Sequence, residues 1–252
     1  SISFNVSRFV GPAIAGLIIA TLGVSAAFAI NGISYLAIVA AVFFVRLRPM
    51  TSREKKPGDL WSELLDGVRY VRAHRTIRGL LIMIAVACVF GRGALEMLPA
   101  FADAVLGRGS SGLAVLTSAV GVGAVITGLV LSRSTFWLNI GVVRASVVAA
   151  GGLIILFGID SAFWLAVPIV TLLGVIMSLT GVGSQILLQS LVDEEVRGRV
   201  SSLWGMIAFG GTAMGGLVVG SASAAFGLQP TVVLAGLLCT VAVMIPRYTK
   251  PE

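Results

Sequence analysis

Long stretches without a single charged residue alternate with short clusters of charge. This pattern constrains the fold more than any motif. The uncharged runs cover 9–45, 109–132, 161–192 and 200–246. One membrane span needs about 20 apolar residues, so the first and last runs are each long enough for two. Hydrophobic residues make up 57% of the 252-residue chain and charged residues only 12%, about half the usual share for a soluble domain. A soluble chain of this length would need a charged skin that these residues cannot supply. The expected class is therefore an all-α membrane protein whose immediate partner is the lipid bilayer.

Turn and polar signals divide the runs into eight expected spans, at 6–22, 25–45, 77–102, 112–131, 140–158, 164–190, 201–224 and 229–246. Segment 140–158 has the weakest pattern, because Arg144 trims its start. Lys and Arg set the orientation. The stretch 46–78 holds Arg46, Arg48, Arg53, Lys55, Lys56, Arg69, Arg72, Arg75 and Arg78. Arg133, Arg144, Arg197, Arg199, Arg247 and Lys250 fall on the same side as that stretch, whereas the opposite loops hold only Arg108. The basic side, with both chain ends, is expected to be cytoplasmic in the inner (plasma) membrane. The net charge of +7 follows from these loops, so no nucleic-acid partner is implied. Cys88 and Cys239 lie in apolar segments and read as small core residues, not a disulfide framework. The chain opens on Ser1 without a signal peptide and runs straight into a span, which reads as a truncation.

Inside the basic stretch, Leu60, Trp61, Leu64, Leu65, Val68 and Val71 recur at a helical period, with Asp59 placed as an N-cap. An amphipathic helix lying on the inner membrane surface fits this pattern. It could serve as a strut between two halves of a transporter or as an ordinary interfacial anchor.

A repeat carries the next step. Phe9-Val-Gly-Pro-Ala-Ile-Ala-Gly-Leu aligns with Phe209-Gly-Gly-Thr-Ala-Met-Gly-Gly-Leu at an offset of 200, and Ala26-Ala27-Phe28 returns as Ala224-Ala225-Phe226. Two parallel six-helix halves would repeat a two-helix unit in this way. At these residues the chain resembles the major facilitator superfamily, and within it the drug, macrolide and siderophore (enterobactin) exporters. Arg8-Phe-Val-Gly11-Pro12-Ala-Ile-Ala-Gly16 is similar to the fifth-helix antiporter motif. Asp193-Glu-Glu-Val-Arg197-Gly198-Arg199 resembles the motif between helices ten and eleven, and Tyr70-Val-Arg-Ala-His-Arg the run into helix seven. The resemblance implies helices five to twelve of an incomplete bundle. Residues 1–45 would close the first half, 46–76 would form a basic loop with the amphipathic helix, 77–246 would be the second half, and 247–252 a cytoplasmic tail.

Mechanistic candidates follow. Gly11, Pro12 and Gly16 permit close helix approach and local bending, and the resemblance implies that with Arg8 they restrict leak between halves. Plain close packing, as for Gly211/Gly215 and Gly216/Gly220, is the alternative. Asp193, Arg197, Gly198 and Arg199 read as a gating loop, or as a solvated loop obeying the positive-inside rule. Arg92 and Glu96 are the charges placed well inside a span. Their i,i+4 spacing puts them on one face, where they can pair, with Arg92 roughly 22 Å from Ile77. A protonatable Glu96 beside Arg92 could couple protons to export; a self-neutralised pair near the outer surface is the alternative. Asn31, Ser178, Thr180, Ser184, Gln185 and Gln189 are further polar candidates, and His74 has neither metal nor relay partners in the sequence around it.

No Ser/His pair, metal cluster or phosphate-binding glycine loop is present, so neither an enzyme nor a cofactor is expected. The function expected is a secondary exporter of small amphipathic molecules that works by alternating access with protons as coupling ion. The alternative is a truncated or non-transporting scaffold.

Overall fold

A computed structural model describes residues 18, 22, 25–43 and 60–244. The chain divides into two compact units, residues 1–63 and 64–252. All regular structure among the described residues is helical. In the first unit, α1 (Ser25–Phe43) is an apolar helix of membrane-spanning length. The expected span 6–22, and with it Arg8, Gly11, Pro12 and Gly16, lies outside the described residues apart from isolated positions.

Helix α2 (Leu60–Ala73) leads into the second unit, a bundle of α3 (Arg75–Val105), α4 (Gly109–Arg133), α5 (Ile140–Ile159), α6 (Phe163–Leu191), α7 (Arg197–Phe226) and α8 (Leu228–Met244). Helices α1 and α3–α7 are long and apolar enough to cross a membrane by length and composition, and α8 is a shorter apolar helix of 17 residues. Helices occupy the positions of all seven spans expected from 25 onward, with ends displaced by a few residues, and six of them are of spanning length. Asn139 accounts for one start: its side chain accepts from the Val142 N–H at 3.0 Å, so α5 begins before Arg144. Arg144 does not shorten the span; its guanidinium donates to the Met244 carbonyl at 3.3 Å, at the last described turn of α8.

Helix α3 is not regular. Ala87–Arg92 and Phe101–Val105 are π-helical, with a turn at Glu96–Met97 between them. Pro99 explains that turn, since it has no N–H to donate to Leu95. It does not end the span, which continues to Val105.

Glycines set the closest helix approaches. A Cβ on Gly93 would sit 2.7 Å from the Gly215 carbonyl carbon, joining α3 to α7. A Cβ on Gly123 would meet Val175 N at 2.6 Å and fall on the Thr171 carbonyl, joining α4 to α6. Gly151 and Gly236 face each other's carbonyl oxygens, with a Cβ on either 2.7 Å from the other's oxygen, joining α5 to α8. Association in lipid relies on such packing, since lipid tails compete for apolar contact. Buried hydroxyls add to it: Thr127 donates to the Val175 carbonyl at 2.8 Å, and Ser146 and Thr180 share a 2.8 Å hydrogen bond.

The core has two parts. One surrounds Phe101, Phe157 and Leu173, near the turns at 106–108, 160–162 and 227. The other surrounds Leu80, Ile84, Val147, Leu188 and Val200, near the loops at 134–139 and 192–196. The second end carries Arg69, Arg72, Arg75, Arg78, Arg133, Arg144, Arg197 and Arg199, and the first carries Arg108. One end of the bundle is therefore strongly basic, as the loop pattern requires.

Candidate functional site

The loop between α6 and α7 is short, covering residues 192–196. Of the four residues expected in a gating loop, only Asp193 lies in it. Arg197, Gly198 and Arg199 form the first turn of α7. The helix starts earlier than expected because the Val200 N–H donates to the Val196 carbonyl at 3.1 Å.

Two arginines in the first turn oppose the helix dipole, whose N-terminus carries about half a positive charge. Acidic partners offset this. Arg199 Nη1 lies 3.7 Å from Asp66 Oδ2, and Arg197 Nη1 lies 3.9 Å from Glu194 Oε1. Arg197 Nη2 also donates to the Val192 carbonyl at 3.5 Å, while its buried Nε has no hydrogen-bond partner.

Asp66 belongs to α2, and a second bond joins the same elements. The Tyr70 hydroxyl donates to Asp193 Oδ2 at 2.9 Å, and the Asp193 N–H approaches the Tyr70 oxygen at 3.5 Å. Burial pushes the Tyr70 hydroxyl above its ordinary value; the Asp193 amide acts the other way, and the Asp193 carboxylate raises it further. The phenol therefore stays protonated as a donor across the neutral range. Gly67 lies between these bonds, where a Cβ would be 3.3 Å from Arg199 Cβ and Leu203 Cδ1. Helix α2 thus latches onto the first turns of α7 and the preceding loop.

The face that docks is Gly67, Tyr70 and Val71. It is turned by about 90° from the apolar stripe read in the sequence, at 100° per residue. Leu65, a member of that stripe, is 57% exposed. The cause is tertiary: Gly67 and the Tyr70–Asp193 bond fix the rotation, which apolar periodicity alone cannot do.

Arg92 and Glu96 form the second candidate. Arg92 closes the first π-helical turn and is the eighteenth residue of the 31-residue α3, close to its middle. The Glu96 N–H donates to the Arg92 carbonyl at 3.0 Å, so the two share a helical face as their spacing requires. The expected ion pair is not formed. Both residues are exposed, and no nitrogen–oxygen approach within 4.0 Å joins them. On an open face an i,i+4 pair returns only a few tenths of a kcal/mol, too little to hold two long side chains together. The Glu96 stem lies over α7, with its Cγ 3.8 Å from a Cβ placed on Gly216.

The other polar candidates separate clearly. Thr180 bonds Ser146, and Ser184 accepts from Trp204 Nε1 at 3.2 Å, so both join helices. Asn31 is exposed on α1, and its carbonyl accepts from the Ser34 hydroxyl. His74 stacks on Tyr70 with ring centroids 4.0 Å apart, and its Nδ1 lies 2.8 Å from the Tyr70 carbonyl. Among the described residues no group of His, Cys, Asp and Glu could hold a metal. Sequence reasoning missed Asp66, Gly67 and Tyr70. A glycine in an otherwise good helix, costing about 1 kcal/mol against Ala, was the available signal.

Apolar helices of spanning length, joined through glycine contacts and basic at one end, define a multi-pass membrane protein. The family model described as transmembrane secretion effector (MFS_3) matches residues 1–250. The chain belongs to this family and is a transporter of the major facilitator kind. No curated protein and no solved structure matches it.

Proposed function

We propose that the protein exports small amphipathic molecules by alternating access, driven by inward flow of protons, with its basic end in the cytoplasm. The observation that carries this reading is Glu96, a carboxylate inside the α3 span about two-thirds of the way along it, exposed and free of the arginine one turn away. An uncompensated carboxylate in hydrocarbon is costly, so such a group belongs against a water-accessible path where it can exchange protons. The π-helical turn that ends at Arg92, one turn before it, adds support, since such turns occur mostly at functional sites. Arg92 would then meet acidic groups of the substrate or of the emptied site.

The α2–α7 latch is the gate on the basic side in this reading. Asp193, Arg197 and Arg199, with Asp66 and Tyr70, hold the second half shut, and their bonds are remade during each cycle. Arg8, Gly11, Pro12 and Gly16 would seal the seam between halves, with residues 1–45 closing the first half and 77–246 forming the second. The drug, macrolide and siderophore exporters supply the substrate class by resemblance.

The test uses the full-length protein in proteoliposomes with an imposed pH gradient. Glu96→Gln should abolish gradient-driven efflux of a macrolide or catecholate siderophore while the protein still inserts and still exchanges substrate at equilibrium. Unchanged gradient-driven efflux would remove Glu96 from the mechanism.

A further inference from the structure

The latch uses one side of α2 and leaves the other uncovered. At 100° per residue, Leu65, Val68, Arg69 and Arg72 fall within an arc of about 100°, roughly opposite Gly67, Tyr70 and His74. Leu65 is 57% exposed, the Arg69 side chain 82% exposed, and Arg72 is exposed as well. Val68 is half-buried beside them. The arginine at 69 makes only an open i,i+3 contact with Asp66, at 3.3 Å, which leaves it available to a stronger partner.

Two observations hold this face at the membrane boundary. Only His74, in an extended conformation, separates α2 from Arg75, where the span of α3 begins. The Arg78 guanidinium then donates to the Arg72 carbonyl at 3.0 Å, tying the end of α2 to the first turn of α3. The latch to Asp193 and Arg199 fixes rotation about the helix axis. Helix α2 is therefore tied to the start of the α3 span, and the latch fixes which of its faces stays open.

We infer that this face of α2 is a docking surface for anionic lipid headgroups of the leaflet at the basic end. Leu65 and Val68 enter the acyl boundary, while Arg69, Arg72 and the neighbouring exposed Arg75 meet the phosphates. An apolar strip flanked by arginines is the composition that such a surface selects, and each arginine near an anionic leaflet is worth about fivefold in occupancy.

Spin-label accessibility on the full-length protein tests this without reference to transport. Leu65→Cys is labelled, with Cys88 and Cys239 buried and unlabelled wild type as the background. The protein is placed in phosphatidylcholine vesicles with and without about one-third phosphatidylglycerol. Nickel-chelate accessibility at position 65 should fall several-fold when phosphatidylglycerol is present. That fall should vanish in Arg69→Gln/Arg72→Gln, and in the unsubstituted protein at 1 M salt. High accessibility in both lipids would overturn the inference, because the face would then lie in water. Low accessibility in both would also overturn it, since protein or neutral lipid would then be the cover. A lipid effect that survives both the arginine changes and high salt would contradict the headgroup contact.

Discussion

At the scale of single residues, two neighbouring glycines on α7 give opposite expectations. A Cβ on Gly215 would meet the Val89 carbonyl carbon at 2.9 Å and the Cys88 oxygen at 3.0 Å, all backbone atoms that cannot move aside. Gly215→Ala should therefore lower stability by about 1–3 kcal/mol, the usual range for overpacking. A Cβ on Gly216 meets only the Glu96 stem, at 3.8 and 3.9 Å, so Gly216→Ala should be close to neutral. Apparent melting temperatures in one detergent, at one scan rate, check both; equal shifts would contradict the packing described. The glycine pattern itself is visible in the sequence as Gly211/Gly215 and Gly216/Gly220. Which glycine meets the α3 backbone is not, because that depends on how α7 is rotated in the bundle. Gly198 faces open space, and nothing in the structure explains a glycine there.

At the scale of elements, the latch consists of two bonds of unequal strength. The Asp66–Arg199 pair spans 3.7 Å between side chains 46% and 29% exposed, and such pairs are worth roughly 0–1 kcal/mol. The Tyr70–Asp193 bond is charge-assisted at 2.9 Å, a class worth about 1.5–3 kcal/mol. Tyr70→Phe should accordingly speed amide hydrogen exchange across residues 65–73 more than Arg199→Gln does. Equal effects would show that the hydrogen bond does not dominate. Tyr70 and Asp193 stand 123 residues apart, which is why this bond could not be read from the sequence. Periodicity located α2 and an apolar stripe suited to a membrane surface, but it gave no sign of the Gly67 and Tyr70 face that docks on α7. The π-helical turns of α3 were hidden for a related reason. The Gly93 N–H reaches back five residues to the Cys88 carbonyl where α3 lies against Gly215, a contact that no local pattern announces.

At the scale of the whole molecule, spans and charge asymmetry were the most legible features. They follow from the solvent, since hydrocarbon excludes charge wherever a helix crosses it. The gate belongs to this scale too. If Arg197 and Arg199 hold the basic end shut, replacing both with Ala should slow substrate exchange across liposomes several-fold more than it changes substrate affinity. A selective loss of binding would contradict a gating role. Proton coupling is the central claim, and simultaneous measurement of substrate and proton flux tests it most directly. The full-length protein would be sealed in liposomes containing a pH-sensitive dye, and substrate would be added without an imposed gradient. The account predicts proton movement opposite to substrate in fixed proportion, lost in Glu96→Gln. Substrate movement at full rate with no proton flux would contradict it.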